Sequence, residues 1–252
     1  MVTTKTFFAH WSSALSRQLK LKIEKSFGPL FNVFYLPYLL VDDLRSARFF
    51  DAWFSSFRAT QSLLDQGMPW LPFLAIDWLR DFLQPNMIVF EYGSGGSTIF
   101  LSRRVKQLFS VEHDPHWYAF VSEALLAHRL TNCIYQLQEA QPRGSCMVRP
   151  ALSSYISEQS DMSFDRYVKN IDKHPDHSFD LVLVDGRSRP AYVERAQAKV
   201  RPGGYLMLDN SNNDDVAETF DRMKSYARMD FHGIAPGWPP ARWTTTLWRI
   251  DN

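Results

Sequence analysis

The sequence predicts an α/β protein with a mostly parallel sheet and an N-terminal helical extension rich in aromatic residues. Three observations carry that expectation. From Met87 onward, short apolar runs alternate with helix-like stretches in the order β, α, β, α, which implies parallel strands joined by right-handed crossovers. The first run, Val89-Phe90-Glu91, turns at once through Tyr92-Gly93-Ser94-Gly95-Gly96-Ser97-Thr98. Glycines at such a strand-to-helix turn let the backbone approach a ligand closely. Later runs end in Glu112, Asp185 and Asp209, and α/β sheets bind ligands at the carboxyl ends of their strands.

Each element has its own signal. In the extension, residues 1–69, a basic stretch (Arg17, Lys20, Lys22, Lys25) interleaved with Leu19, Leu21 and Ile23 precedes an apolar segment, residues 28–41, that contains Pro29 and Pro37. Two readings stand: peripheral contact with a membrane surface, or a cap packed on the following domain, which the strand-like alternation of residues 19–23 favours. Asp42-Asp43 reads as a helix N-cap, followed by Leu44, Ala47, Phe50, Phe54 and Phe57 at helical spacing until Gly67. A second helix starts near Pro72, buries Leu71, Leu74, Trp78 and Phe82, and ends before Pro85.

In the domain expected over residues 70–252, strands are predicted at 87–91, 107–112, 133–138, 179–185 and 204–209, with helices beginning near Ser97, Pro115 and Pro190. An insertion at about 139–177, with a helical piece around 164–171, is a candidate lid or substrate loop. A helix at 214–227 and strand-like runs at 229–235 and 243–250 complete the chain, the runs separated by Pro236-Gly237-Trp238-Pro239-Pro240.

Composition bounds the function. With 45% hydrophobic and 22% charged residues the chain reads as a soluble globular protein. A formal net charge of +1 argues against bulk electrostatic binding of nucleic acid. Two cysteines, Cys133 and Cys146, fit neither a disulfide framework nor a zinc spacing, so a reducing, cytoplasmic compartment is expected. No secretory signal is visible, and the segment 28–41 is too short to span a bilayer.

The glycine turn admits two ligands. A dinucleotide fingerprint wants a third small residue where β-branched Thr98 stands. Glu91, two residues before the first glycine, repels phosphate but suits an ammonium or sulfonium. About twenty residues on, Glu112 in Ser110-Val111-Glu112-His113-Asp114 offers a bidentate acceptor for ribose hydroxyls.

These residues, with Asp180-Leu181-Val182-Leu183-Val184-Asp185-Gly186 and Arg201-Pro202-Gly203-Gly204-Tyr205-Leu206-Met207-Leu208-Asp209, resemble the class I S-adenosylmethionine-dependent methyltransferases from about Trp70 to the C-terminus. The resemblance implies a Rossmann-like seven-stranded sheet, mostly parallel with an antiparallel last strand. It places Glu91, Gly93, Ser94, Gly95, Gly96 and Ser97 at the methionine end of S-adenosyl-L-methionine and Glu112 at its ribose. Gln138 and Glu139 would lie near the adenine, with His113 and His116 packing there, and Asp185 would cap the following turn or touch the cofactor.

Asp185 and the Asp209-Asn210 pair are similar to the ligand set of cation-dependent, catechol-type O-methyltransferases, so they are candidate ligands for Mg²⁺ as well as catalytic candidates. Two departures stand against that match: Ser188 replaces the lysine expected three residues past the first acid, and the glycine turn is shorter. Without a cation, Asp209 would order the Ser211-Asn212-Asn213 loop. His232 is a further candidate base. Arg187 and Arg189 would recognise an anionic acceptor, while Trp53, Trp70, Trp238 and Trp243 are either pocket walls or core.

The expected activity is O- or N-methylation of a small-molecule acceptor. The chain lacks the Asn-Pro-Pro-aromatic tetrapeptide after the fourth strand that resembling base and amide N-methylases use. The alternatives are an NAD(P)-dependent oxidoreductase, a non-catalytic module of the same fold that binds a protein partner, and aminopropyl transfer, for which no polyamine pocket is evident.

Overall fold

A computed structural model describes residues 44–142, 162–186, 189–213, 216–237 and 243–251. The basic and apolar N-terminal stretches, Asp42-Asp43, Cys146, Arg187, Ser188 and Trp238 lie outside these residues. The chain divides into two compact units, Met1–Ala47 and Arg48–Asn252. Of the first, the described residues form one short helix, α1 (Leu44–Ala47).

The second unit opens with α2 (Phe50–Arg58), α3 (Leu63–Gln66) and α4 (Phe73–Phe82). The helix expected to run on to Gly67 is thus broken. Ala59 leaves helical geometry at φ −59°, ψ 137°, and Ser62 restarts it through a capping box. Its hydroxyl accepts the Asp65 N–H at 3.1 Å while the Asp65 carboxylate accepts the Ser62 N–H at 3.2 Å. Gly67, at φ +61°, ends α3 in the left-handed conformation.

Then follow β1 (Ile88–Tyr92), α5 (Gly96–Ser102), β2 (Gln107–Glu112), α6 (Pro115–Ala127) and β3 (Cys133–Leu137). Asp114 caps α6 by accepting the N–H groups of His116 and Trp117 at 2.8 and 3.0 Å, with Pro115 in the first turn. A two-residue ladder, β4 (Gln141–Pro142) with β5 (Met162–Ser163), leads to α7 (Asp165–Val168) and a 3₁₀ turn (Lys169–Lys173). The chain closes with β6 (Phe179–Val184), α8 (Arg189–Lys199), β7 (Val200–Leu208), α9 (Ala217–Arg222), β8 (Arg228–Gly233) and β9 (Trp243–Ile250).

The seven-stranded sheet has the order β3-β2-β1-β6-β7-β9-β8. The pairs β3–β2, β2–β1, β1–β6 and β6–β7 are parallel; β9 runs antiparallel to both β7 and β8. The expected mostly parallel sheet with an antiparallel last strand is therefore present. Central β6 buries all six residues, as a strand covered on both faces must.

One face carries α7, the 3₁₀ turn and α8, whose Tyr167, Val168, Ile171, Tyr192 and Ala196 pack on Phe90, Phe179 and Val182. The described part of the 139–177 insertion is thus a wall of the core. On the other face Val121, Ala124 and Leu125 of α6 pack on Ile99 and Leu64, and the α4 rings of Trp78 and Phe82 meet Tyr205 edge-on at 5.0 and 5.1 Å.

Strand order reverses between β1 and β6, the switch point at which such sheets open a crevice. Two glycines of the β1–α5 turn differ in what holds them small. A Cβ on Gly96 would overlap the Met68 carbonyl, whereas one on Gly95 would meet only the Trp117 ring, at 3.8 Å. Gly96→Ala is expected to cost about 1–3 kcal/mol by overpacking, and Gly95→Ala under about 0.5 kcal/mol. Denaturant midpoints test this; equal losses would show that the α3–α5 contact does not set the turn.

Candidate functional site

The turn stands on a buried carboxylate. Glu91, on the last turn-facing positions of β1, is fully buried. Its Oε2 accepts hydrogen bonds from Thr98 Oγ1 at 2.7 Å and Ser110 Oγ at 2.6 Å. Thr98 Oγ1 in turn accepts the Gly95 N–H at 2.9 Å. The β-branched residue that spoils a dinucleotide pattern is therefore the tie between strand, turn and helix. Glu91 Oε1 has no hydrogen-bond partner among the described residues. Burial pushes this carboxyl up to about 7; the bonds from Ser110 and Thr98 oppose the rise, and the charge of Glu112 adds to it.

Above Glu91 the glycines follow the crevice. Gly93 has φ +82°, and a Cβ there would lie 2.6 Å from the Asp185 carbonyl oxygen, so β1 and β6 meet at their ends with no room for a side chain. Gly186 is held small from beneath, because a Cβ would come 2.6 Å from the Tyr167 hydroxyl. That hydroxyl donates to the Val111 carbonyl at 3.2 Å, which also accepts the Gly93 N–H at 3.0 Å.

Glu112 ends β2 beside the turn and is 2% exposed. Its Oε2 accepts the N–H and the hydroxyl of Ser94, both at 3.0 Å. Its Oε1 accepts the N–H groups of His113 and Asp114 at 2.7 and 2.9 Å, and His113 Nδ1 stands 2.8 Å away. Burial alone would raise this carboxyl, but the His113, Asp114 and Ser94 donors outweigh it and hold Glu112 at about 2. Two neighbouring carboxyls are thus driven apart: the outer one is ionised at neutral pH, the inner one titrates there.

Ser94 is gripped from two further sides. Tyr135 on β3, stacked on Tyr118 at 4.4 Å, brings its hydroxyl 2.6 Å from Ser94 Oγ. Trp117 Nε1 donates to the Ser94 carbonyl at 2.7 Å while the indole remains 40% exposed. Neither residue stands out in the sequence, since each acts across more than twenty positions; only the run of aromatics behind Glu112 hints at them.

Asp185 and Asp209 follow adjacent strands. The Asp185 N–H donates to the Tyr92 carbonyl at 2.8 Å and the Asp209 N–H to the Val184 carbonyl at 3.0 Å. Asp209 is buried, and its Oδ1 accepts the Thr245 hydroxyl at 2.6 Å. Asn210 adopts φ +49°, and the Ser211 N–H donates to the Thr244 carbonyl at 2.9 Å. Among the described residues no three His, Cys, Asp or Glu side chains are grouped to hold a metal ion.

The fold thus brings Glu91, Gly93, Ser94, Gly95, Gly96, Ser97, Glu112, His113 and Asp185 to one switch point, with Asp209 and Asn210 next to it. It does not bring His232 there. That residue lies on β8, with Nδ1 2.9 Å from Thr244 Oγ1, and β9 separates β8 from β7 by two strand spacings, about 10 Å. His116 and Glu139 are exposed and Gln138 donates its N–H to the Glu112 carbonyl at 2.7 Å. Trp53 is buried in the core, Trp243 is half-buried, and Trp70 is exposed.

The buried Glu91 makes a prediction about pH. An unfolded glutamate loses its proton near 4.5 and the folded Glu91 near 7, so between these values folding takes up a proton and stability falls as pH rises. Above pH 7 the penalty is complete, at about 3 kcal/mol. Glu91→Gln should match the wild type near pH 4.5 and exceed it at pH 8 in urea unfolding; parallel curves would remove the buried charge from the account.

No family model matches the sequence, and no curated protein matches it. Solved structures do match by fold. One is the O-methyltransferase TomG from Streptomyces achromogenes, involved in tomaymycin synthesis and solved with S-adenosylmethionine. It is 15% identical, with a TM-score of 0.55 over 83% of this chain and 100% of that one. Another is a Klebsiella pneumoniae protein described, by inference, as an O-methyltransferase, 18% identical with a TM-score of 0.52 over 91% of this chain and 100% of that one. By these likenesses and its sheet order, the chain has the fold of the class I S-adenosylmethionine-dependent methyltransferases.

Proposed function

We propose that this chain is an S-adenosylmethionine-dependent methyltransferase acting on an oxygen or nitrogen of a small-molecule acceptor. One observation carries the reading: at the switch point an ionised Glu112 stands beside Gly95, the one glycine of the turn whose smallness no neighbouring backbone requires. A carboxylate flanked by an open backbone suits a nucleoside with a cationic tail. The likeness to TomG, solved with S-adenosylmethionine, supports the same choice.

In this proposal Glu112 and His113 hold the ribose side, Gly93, Ser94, Gly95, Gly96 and Ser97 form the bed for the methionine end, and Asp185 borders it. Glu91 acts from beneath by fixing the turn. The cofactor supplies an activated methyl group, and the chain aligns the acceptor for in-line attack, the source of most of the rate in such a displacement. Asp185 and Asp209, at the ends of adjacent strands, are the candidates to take the proton that an acceptor hydroxyl or amine releases; His232 is about 10 Å beyond β7.

A Mg²⁺ ion on Asp185, Asp209 and Asn210 would have to share Asp209 with Thr245, which favours Asp209 as a positioning carboxylate. The net charge of +1 favours a small molecule over a polynucleotide.

The dinucleotide reading fares worse. Its pyrophosphate needs the N-terminus of α5, where Gly96 is packed against the Met68 carbonyl and the Gly95 N–H is already held by Thr98.

Thermal shift separates the readings, because a ligand that binds only the native state raises its stability. S-adenosylhomocysteine should raise the midpoint and NADH should not, and Glu112→Ala should abolish the rise. A shift with NADH alone, or one indifferent to Glu112, would overturn the assignment. In a methyl-transfer assay, a response to added Mg²⁺ or to EDTA would restore the metal role.

A further inference from the structure

The Glu112 carboxylate is crowded in a way that deepens the cofactor reading on which this inference rests. An ionised carboxylate offers about four lone-pair sites. Here four hydrogen bonds and one close contact converge on it. Three of the donors are backbone N–H groups, from Ser94, His113 and Asp114, fixed by the turn and by the start of α6. The other two groups belong to side chains, and they are divided one to each oxygen: the Ser94 hydroxyl on Oε2 and His113 Nδ1 beside Oε1. The imidazole nitrogen stands 2.8 Å away but out of line for a hydrogen bond, so it acts on the carboxyl by nearness rather than as an aligned donor.

A vicinal diol binding in bidentate fashion places one hydroxyl on each oxygen of a carboxylate. The two side-chain groups occupy those places. Each can leave while the three backbone donors stay and keep Glu112 ionised. Ser94 also has somewhere to go: its hydroxyl already lies 2.6 Å from Tyr135, so it keeps a partner when it turns from Glu112.

We propose that the Ser94 hydroxyl and the His113 imidazole are intramolecular stand-ins for a ribose diol, displaced by the nucleoside when it binds. Ser94 therefore has two opposed roles. Its backbone shapes the turn, and its side chain competes with the ligand for Glu112. Removing the hydroxyl strengthens the binding of a diol-bearing nucleoside, the reverse of what a ligand-holding serine would show.

The test is calorimetric titration of S-adenosylhomocysteine and its 2′,3′-dideoxy counterpart into the wild type, Ser94→Ala and Ser94→Gly. With the Ser94 hydroxyl's bond to the ionised carboxylate no longer to be broken, Ser94→Ala should bind S-adenosylhomocysteine about tenfold tighter. The dideoxy ligand should bind all three proteins alike. Ser94→Gly repeats the test should alanine disturb the turn. Unchanged or weaker binding of S-adenosylhomocysteine by both variants would overturn the stand-in role and leave the cofactor reading intact. An equal gain for the dideoxy ligand would also overturn it, by showing that the turn had only loosened. No binding to any of the three proteins would overturn the cofactor reading itself, and this inference with it.

Discussion

The site depends on a carboxylate placed where water cannot reach it. Glu91 is buried beneath the first strand-to-helix turn, and two hydroxyls converge on a single one of its oxygens, from Thr98 on α5 and Ser110 on β2. Burying a carboxyl this deeply is costly unless it is neutral or well bonded, and Glu91 is partly both. The return is geometric. One side chain joins β1, β2 and α5, and through the Thr98 hydroxyl it reaches the Gly95 N–H. The turn is thereby held open toward the crevice and closed toward the core.

The two acids divide the labour by environment. Glu112, next door, is drawn down by His113 and by the backbone donors of Asp114 and Ser94, whereas Glu91 is pushed up by burial. The inner carboxyl ties the turn from beneath, and the outer one holds Ser94 from the side. Asp209 resembles the inner one in being buried and tied, through Thr245, to the antiparallel last strand. That strand presents three consecutive threonines, each fully or almost fully buried, to Asp209, Ser211, Asp230 and His232. The end of β7 is therefore tied to β9 through Thr245, as the end of β1 is tied to β2 and α5 through Glu91.

Much of this was legible in the sequence because its signals were local. The strand at Gln107–Glu112 and the strand at Trp243–Ile250 fall where periodicity puts them, and Pro115 marks the start of α6. The glycine turn and its acids were visible as a motif. Pairings across the fold were not. Thr98 looked like a flaw in a fingerprint and is a hydrogen-bond relay, because its partner Glu91 lies beneath the turn. Trp117, Tyr135 and Thr245 reach their partners over 23, 41 and 36 positions, distances at which residue type says nothing. The helix break at Ala59 was readable from Ser62 and Asp65, a capping-box pair, but the longer apolar stripe masked it. His232 looked like a base because histidine titrates near neutrality, and only strand order shows how far it stands from the crevice.

In the proposed function, the turn over Glu91 and the end of β2 together form one nucleoside site. Amide hydrogen exchange with and without saturating S-adenosylhomocysteine tests it most directly, because it reads each backbone donor of the site in the intact protein. Bound ligand should slow exchange chiefly at residues 93–98 and 111–117. Unchanged exchange in both segments while the ligand is bound, or protection centred on β8 and β9 instead, would contradict it.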